Sequence, residues 1–191
     1  MAKKMSSRPK RQPGGMQPLS PQRKWRAIAL ATLVLVPAYW SILAGLVSGS
    51  SDTSVGAPNP AAALALGLAL IPFVFIALAF LSEHPRAPGA VLKAMGLSLL
   101  VGTVVSALAA DGVTGIVAGV GAGGVVALRS DEPHNWRARA IAVIFATLYT
   151  FVLVRTLGTV ALLPAPILPF TGIGVADHLS ERRRERELTE T

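Results

Sequence analysis

The apolar residues of this chain fall in long runs that short polar segments separate. Five runs stand out, at 26–47, 60–81, 91–110, 113–128 and 138–154. A helix that crosses a bilayer needs about 20 mostly apolar residues, so these runs predict transmembrane helices. The stretch 90–128 is too long for one crossing, and we divide it at Asp111-Gly112, a dipeptide typical of tight turns.

The last apolar stretch, 156–176, contains Pro164, Pro166 and Pro169. Prolines interrupt helical hydrogen bonding, so this stretch predicts either a sixth, broken span or a re-entrant segment. The favoured fold class is therefore an all-α, polytopic transmembrane helical bundle with six spans arranged as three hairpins. A four-span bundle, in which 156–176 and one other run do not cross, remains an alternative.

The basic residues divide the chain and predict its orientation. Residues 1–24 form a basic tail predicted to be disordered, 25–178 the transmembrane helical domain, and 179–191 a charged tail. With six spans, every Lys and Arg except Arg155 falls on one side, which the positive-inside rule makes cytoplasmic. The prediction is a multi-pass protein of the bacterial inner (plasma) membrane with both termini cytoplasmic.

Composition supports a membrane protein. The hydrophobic share is 52% and the charged share 15%, against about 25% charged residues in soluble domains. The net charge is +8, and the basic residues flank the apolar spans. The tails lack the interleaved aromatic residues of nucleic-acid-binding modules. Anionic lipid headgroups are therefore the expected partner of the tails, and nucleic acid is not.

The sequence contains no motif that names a reaction. There is no cysteine, no phosphate-binding loop, no zinc-protease motif and no pair of intramembrane carboxylates. Three acidic–His clusters lie at predicted membrane exits (Glu83-His84, Asp131 to His134 and Asp177-His178), and we interpret them as interfacial loops. We therefore expect no enzyme activity, no cofactor and no metal.

Small residues spaced four apart are the strongest structural feature. Gly115, Gly119 and Gly123 lie on one face of the fourth span, and Gly102 and Ser106 on one face of the third. Such faces let helices approach closely in lipid. The two faces either pack on each other within a hairpin or receive a helix from a partner protein.

Arg155 ends the fifth span, where a long basic side chain reaches the headgroups. At that rim it is also a candidate contact to a lipid or to another subunit.

Two segments resemble small polytopic membrane proteins of actinobacteria. The first runs from Pro72-Phe73-Val74-Phe75 through Ser82–Gly89 to Val91–Gly96, and the second is Trp136–Ile141. Over about residues 25–178 the chain looks most like the LucB-type accessory subunit of mycobacterial Mce lipid-import complexes. The resemblance implies an inner-membrane subunit beside the permease and Mce subunits of an ATP-driven lipid importer. That family has no catalytic or ligand motif to carry over.

These observations favour a non-catalytic accessory or assembly subunit of a cell-envelope membrane complex. The resemblance implies that this complex is an Mce-type lipid or fatty-acid importer. A small oligomeric channel, flippase or transporter is the alternative from a different class. A membrane enzyme acting on lipid is the least favoured, because the short external loops hold no catalytic domain.

The charge distribution predicts the topology. The native chain has no cysteine, so Lys10→Cys, Val55→Cys and Leu188→Cys each introduce one thiol. A membrane-impermeant maleimide applied to intact cells should label position 55 and spare positions 10 and 188. Labelling of position 188 from outside would contradict the six-span arrangement.

Overall fold

The apolar runs form helices in the computed structural model, which describes residues 21–48, 59–82, 86–128, 136–162 and 164–189. These residues contain no β-strand, so the fold is all-α, as predicted. The helices are α1 (Pro21–Ser48), α2 (Pro60–Leu81), α3 (Ala87–Ala109), α4 (Gly112–Leu128), α5 (Trp136–Leu157) and α6 (Pro164–Thr189), with a short 3-10 helix, Gly158–Ala161, before α6.

The stretch 156–176 differs from its prediction in where the chain breaks. The interruption is the 3-10 segment, in which Gly158 has a φ of +61°, and the prolines come after it. Pro164 and Pro166 lie in the first turn of α6, where a missing N–H breaks no helical hydrogen bond. Only Pro169 lies inside the helix. Helix α6 then continues through the charged segment, so residues 179–189 extend a helix that begins in the apolar region.

Within the described residues, four helical segments are long and apolar enough to cross a membrane: Lys24–Leu46, Pro60–Leu81, Ala87–Ala109 and Ala140–Leu157. The apolar helices Gly112–Leu128 and Pro164–Ala176 are shorter. Large apolar side chains point outward from several helices, with Trp40, Leu99 and Leu108 at least 71% exposed. In water such a surface would be unstable, so the fold is that of a membrane helical bundle.

Neighbouring helices along the chain run in opposite directions. Gly45 of α1 lies against Pro60 and Leu64 of α2, while Gly67 of α2 lies against Ala38 and Ile42. The same reversal holds for α3 and α4, which only Ala110 and Asp111 connect. Helix α6 runs parallel to α4, because Gly121 approaches Pro166 and Gly124 approaches Phe170.

This alternation brings charged segments of the chain to one end of the bundle. Gly174 of α6 lies against Trp25 and Ile28 of α1, so the start of α1 and the charged half of α6 share an end. Asp111 and Arg155 lie at the opposite end. Among the described residues, the helix directions therefore place the start of α1 and the charged half of α6 at one end and Arg155 at the other.

Helix α4 lies at the centre. All but four of its 17 residues are buried, and it contacts α2, α3, α5 and α6. Helices α3 and α5, by contrast, bury the smallest share of their spans. The third predicted hairpin is looser than the first two, since α5 and α6 each pack more extensively on α4 than on each other.

Candidate functional site

The predicted small-residue faces of α3 and α4 meet inside the bundle. A methyl group built on Gly119 would lie 3.2 Å from the Cα of Gly102 and would overlap the carbonyl oxygen of Ser98. One built on Gly115 would overlap Ser106 and the carbonyl oxygen of Gly102. The backbones of α3 and α4 therefore touch, which only glycine permits at these two positions.

Gly123 faces two helices at once. A methyl group there would lie 2.7 Å from the carbonyl oxygen of Ala94 and 2.7 Å from Cζ of Phe75. The small face of α4 is thus filled by α3 and α2, and it leaves no room for a helix from another protein. Of the two uses considered for this face, the described geometry corresponds to packing within the hairpin.

Gly121 and Gly124 of α4 receive α5 and α6, which the sequence pattern did not indicate. A methyl group on Gly121 would lie 3.1 Å from Oγ1 of Thr150, and one on Gly124 would overlap the ring of Phe170. Phe170 is fully buried. Glycines on different faces therefore make α4 thin enough for four helices to surround it.

A second close helix contact joins α1 and α2. Methyl groups on Gly45 and Gly67 would lie 2.8 Å from the carbonyl oxygen of Pro60 and 2.7 Å from that of Ala38, respectively. The sequence contains a pattern for this contact, Ala63-xxx-Gly67, since small residues four apart are typical of close packing. That pattern is weak in α2, where alanine is abundant.

Asp111 caps the start of α4. Its carboxylate accepts hydrogen bonds from the backbone N–H of Val113 at 3.0 Å and of Thr114 at 3.1 Å, and from the Thr114 hydroxyl. Burial raises the pKa of Asp111, but these hydrogen bonds and the charge of Arg155 together lower it below its ordinary value. Asp111 therefore acts as an ionised N-cap, a use that satisfies the helix's otherwise free N–H groups.

Arg155 lies in the last turn of α5 and is exposed. Its guanidinium carbon is 6.0 Å from the centroid of the Phe151 ring, a favourable cation–π distance. A cation in the last turn also interacts favourably with the helix dipole. Since its charge also acts on Asp111, Arg155 links α5 electrostatically to the α3–α4 turn.

Most described hydroxyl groups in the helices are bonded within their own helix. Thr32, Ser82, Thr103, Thr147, Thr156 and Thr171 each donate to a carbonyl three or four residues earlier. Thr150 instead donates to the carbonyl of Ala165 at 3.4 Å and joins α5 to α6. These hydrogen bonds tie the hydroxyl groups to the helix backbone.

In the part of the chain that the structure describes, two apolar grooves open between the helices. The α2–α3 groove, of about 490 Å³, lies over α4, and its lining includes Phe75, Met95, Ser98 and Thr103. The α5–α6 groove, of about 410 Å³, is lined among others by Phe145, Ala146, Tyr149, Pro169 and Gly172. Neither groove could be read from the sequence, because each depends on how far two helices diverge.

Most of the polar positions considered for chemistry lie outside the described residues. Of the three acidic–His clusters, Glu83-His84 and Asp131 to His134 lie outside the described residues. The described residues contain no group of three metal-ligating side chains. Tyr39 of α1 is buried, and its hydroxyl has no hydrogen-bond partner among the described residues.

Comparison of the chain with protein-family models, curated proteins and solved structures gives no match. The protein is therefore classified by its described fold alone, which is an all-α membrane bundle around a buried glycine-rich helix.

The backbone contact at Gly119 predicts a large effect from a small substitution. Gly119→Ala should destabilise the bundle by about 1–3 kcal/mol, because an added methyl group in a filled interface forces the helices apart. The matched control is Gly96→Ala in α3, where a methyl group meets open space. Helix propensity alone makes that change neutral or stabilising by up to about 1 kcal/mol. Thermal unfolding in a mild detergent measures both, and equal midpoints would contradict the contact.

The Asp111 cap predicts separate effects for two variants. Asp111→Ala should lower the free energy of unfolding by about 1 kcal/mol, the usual contribution of an N-cap. Asp111→Asn should cost less, because asparagine still accepts the cap hydrogen bonds but loses the attraction to Arg155. Thr103→Ala, which removes a hydroxyl bonded only within its helix, is the control. A larger loss for Asn than for Ala would contradict the capping role.

The pH dependence of this contribution follows from the lowered pKa. A carboxyl group whose pKa is lower in the folded than in the unfolded chain stabilises the fold at pH values above its pKa in the unfolded chain, which is about 3.9. This stabilisation is lost as the pH falls through the pKa of the folded chain. The difference in unfolding midpoint between the native chain and Asp111→Asn should therefore stay constant from pH 7 to pH 5 and shrink below about pH 4.

Proposed function

We propose that this chain is a non-catalytic accessory or assembly subunit of a cell-envelope membrane complex. The observation that carries the proposal is the state of the polar groups within the helices. The hydroxyls described above are bonded to backbone carbonyls, and the carboxylate of Asp111 is engaged at the start of α4. A protein that moves polar solutes lines its path with such groups, so these helices are better suited to packing than to conduction.

In this role, a partner protein would bind the outer surfaces of α3 and α5. Leu108 on α3 is 79% exposed and Ile141 on α5 is 67% exposed, and these two helices bury the least of their spans. In a bilayer such faces contact either lipid tails or other transmembrane helices, which are equally apolar. Partner helices on these faces would leave the glycine contacts of α4 intact.

The particular complex we propose is an Mce-type, ATP-driven lipid or fatty-acid importer. The support is the resemblance of residues 72–96 and 136–141 to the LucB-type accessory subunit. In this arrangement the permease, the ATPase and the Mce subunits carry out transport, and this chain stabilises or tunes their assembly. Its basic tails would lie on the cytoplasmic side, and Arg155 would lie at the outer rim as a candidate contact to lipid or to a neighbouring subunit.

Purification from native membranes tests the proposal. A tagged full-length chain in gentle detergent should bring down permease, ATPase and Mce subunits together. A photo-crosslinking residue at Leu108 or Ile141 should give adducts with one of these subunits. The same residue at Val117, which is buried in α4, is the matched control and should give none. Deletion of the gene should lower lipid uptake or the recovery of the complex.

Two outcomes would contradict this function. Recovery of the chain as a homo-oligomer without transport subunits would argue against an accessory role. Transport of a substrate by the purified chain in liposomes would favour a small channel, flippase or transporter. That alternative would also require polar groups to line a path, whereas the two grooves between the described helices are lined mainly by apolar side chains.

A further inference from the structure

Both helices of the first hairpin contain an internal proline at a similar depth. Pro37 lies inside α1 and Pro72 inside α2. A proline inside a helix removes one backbone hydrogen bond and allows the helix to bend there. Since Gly67 of α2 lies against Ala38 of α1, the two prolines are within about one helical turn of each other in depth. The hairpin therefore has a weak point that both of its helices share.

On one side of these prolines the two helices form a single unit, the hairpin tip, which consists of residues 38–48 and 60–71. Methyl groups built on Gly45 and Gly67 would lie 2.8 Å from the carbonyl oxygen of Pro60 and 2.7 Å from that of Ala38. At such close contact neither helix of the tip can shift alone. A bend at the prolines would therefore move both helices of the tip together.

On the other side of the prolines the hairpin is anchored to the rest of the bundle. The ring of Phe75 lies against the Gly123 position of α4, and Ile28 lies against Gly174 of α6. Phe75 and Ile28 are both buried. A bend at the prolines would leave these contacts in place and would move the tip alone.

The α2–α3 groove lies beside the tip. On α2 its lining includes Leu68 and Pro72, and along α3 it extends from Met95 to Ser106, which is about 16 Å at 1.5 Å per residue. A volume of about 490 Å³ over that length gives a width of roughly 5–6 Å. A movement of the tip by about 5 Å would therefore close the groove.

The two walls of this groove carry polar groups that complement each other. The carbonyl of Leu68 has no helical partner four residues later, because Pro72 has no N–H. On the opposite wall, the hydroxyl of Ser98 makes no hydrogen bond to the other described residues. One wall thus offers an acceptor and the other a donor.

The carbonyl of Leu68 and the hydroxyl of Ser98 lie at a similar depth in the bundle. A methyl group built on Gly123 would lie 2.7 Å from both Ala94 of α3 and Phe75 of α2, which sets the register of these two helices. Ser98 is four residues from Ala94 towards the tip. Leu68 is seven residues from Phe75, and its carbonyl is directed back along the helix. At 1.5 Å per residue the two groups are within about one turn of each other in depth.

The last two helices contain the same arrangement in a paired form. Pro169 lies inside α6 and leaves the carbonyl of Ala165 without a helical partner. Thr150 of α5 donates to that carbonyl at 3.4 Å. An unpaired backbone group in hydrocarbon is unfavourable, and hydroxyls near a membrane-spanning proline pair the carbonyl that it frees. In α2 the corresponding carbonyl is separated from Ser98 by the width of the groove.

We propose that the hairpin tip moves between the open arrangement described above and a closed one, in which Ser98 donates a hydrogen bond to the carbonyl of Leu68. Pro37 and Pro72 are the hinge. Closure pairs both polar groups and removes the α2–α3 groove, whereas opening gives lipid tails access to α4 at Ile116, which lies in the groove lining. This device is built from the bundle alone, so it does not depend on the particular complex proposed above.

Distances between spin labels in the full-length chain, reconstituted in lipid nanodiscs, test the proposal. The native chain contains no cysteine, so only introduced cysteines take a label. Leu66→Cys with Leu100→Cys, at exposed positions of the tip and of α3, should give two distance populations that differ by about 5 Å. Phe80→Cys with Leu92→Cys, also exposed, report on the anchored part of the hairpin. This matched control pair should give one population.

Three variants separate the hydrogen bond from the hinge. Ser98→Ala removes the donor and should lower the ratio of closed to open chains about threefold, the usual contribution of one hydrogen bond between membrane helices. Thr103→Ala removes a hydroxyl of the same groove that is bonded within α3, and as the control it should leave the ratio unchanged. Pro72→Ala supplies the missing N–H to the carbonyl of Leu68 and should leave a single population.

A single population for the tip pair in the native chain would overturn the proposal, because the groove would then be permanently open, filled or closed. Equal ratios in the native chain and Ser98→Ala would overturn it as well, and so would two populations in Pro72→Ala. Ser98→Ala leaves the glycine contacts of the bundle unchanged. Its comparison with the native chain therefore decides the proposal even if Pro72→Ala fails to fold.

Discussion

Backbone-to-backbone contact through α4 is the interaction on which this bundle depends. In a bilayer, apolar side chains gain little by leaving lipid for protein, so helix association relies on close packing. Gly115 and Gly119 let α3 approach to backbone contact, and Gly124 accepts the ring of Phe170. A helix with larger side chains at these positions could not be surrounded on four sides, and α2, α3, α5 and α6 would have no common support.

The same arrangement explains why the interior offers little chemistry. Close backbone contact leaves no space for water between α3 and α4, and hydroxyls that face nearby backbone bond to it, as Thr150 does to Ala165. Asp111 and Arg155 lie together at one end of the bundle. Features open to another molecule are consequently on the outside, in the two grooves and on the exposed faces of α3 and α5.

Local patterns in the sequence predicted much of the fold. The apolar runs identified the helices, because membrane spans need long apolar segments, and the spacing of Gly115, Gly119 and Gly123 identified the face that α3 covers. The pairing was predictable because the two faces flank a short turn and must meet when the chain reverses.

Other features required three-dimensional information. Phe170 lies far from Gly124 along the chain, and no spacing relates them. The prolines of the last apolar stretch indicated a break, yet proline at the start of a helix is compatible with that helix, and the break falls at Gly158 instead. The two grooves arise from the angles between helices, which apolar spans of similar composition do not encode in any local pattern.

The thinness of α4 has a consequence for the synthesis of the protein. A glycine-rich helix of 17 residues that stood alone in lipid would bring its polar backbone close to hydrocarbon along several faces. Its two-residue connection to α3 means that both helices can enter the bilayer together, so α3 shields one side of α4 before α5 and α6 have been made. The order of helices along the chain thus doubles as an order of assembly, in which the C-terminal pair closes over a centre that earlier helices already protect.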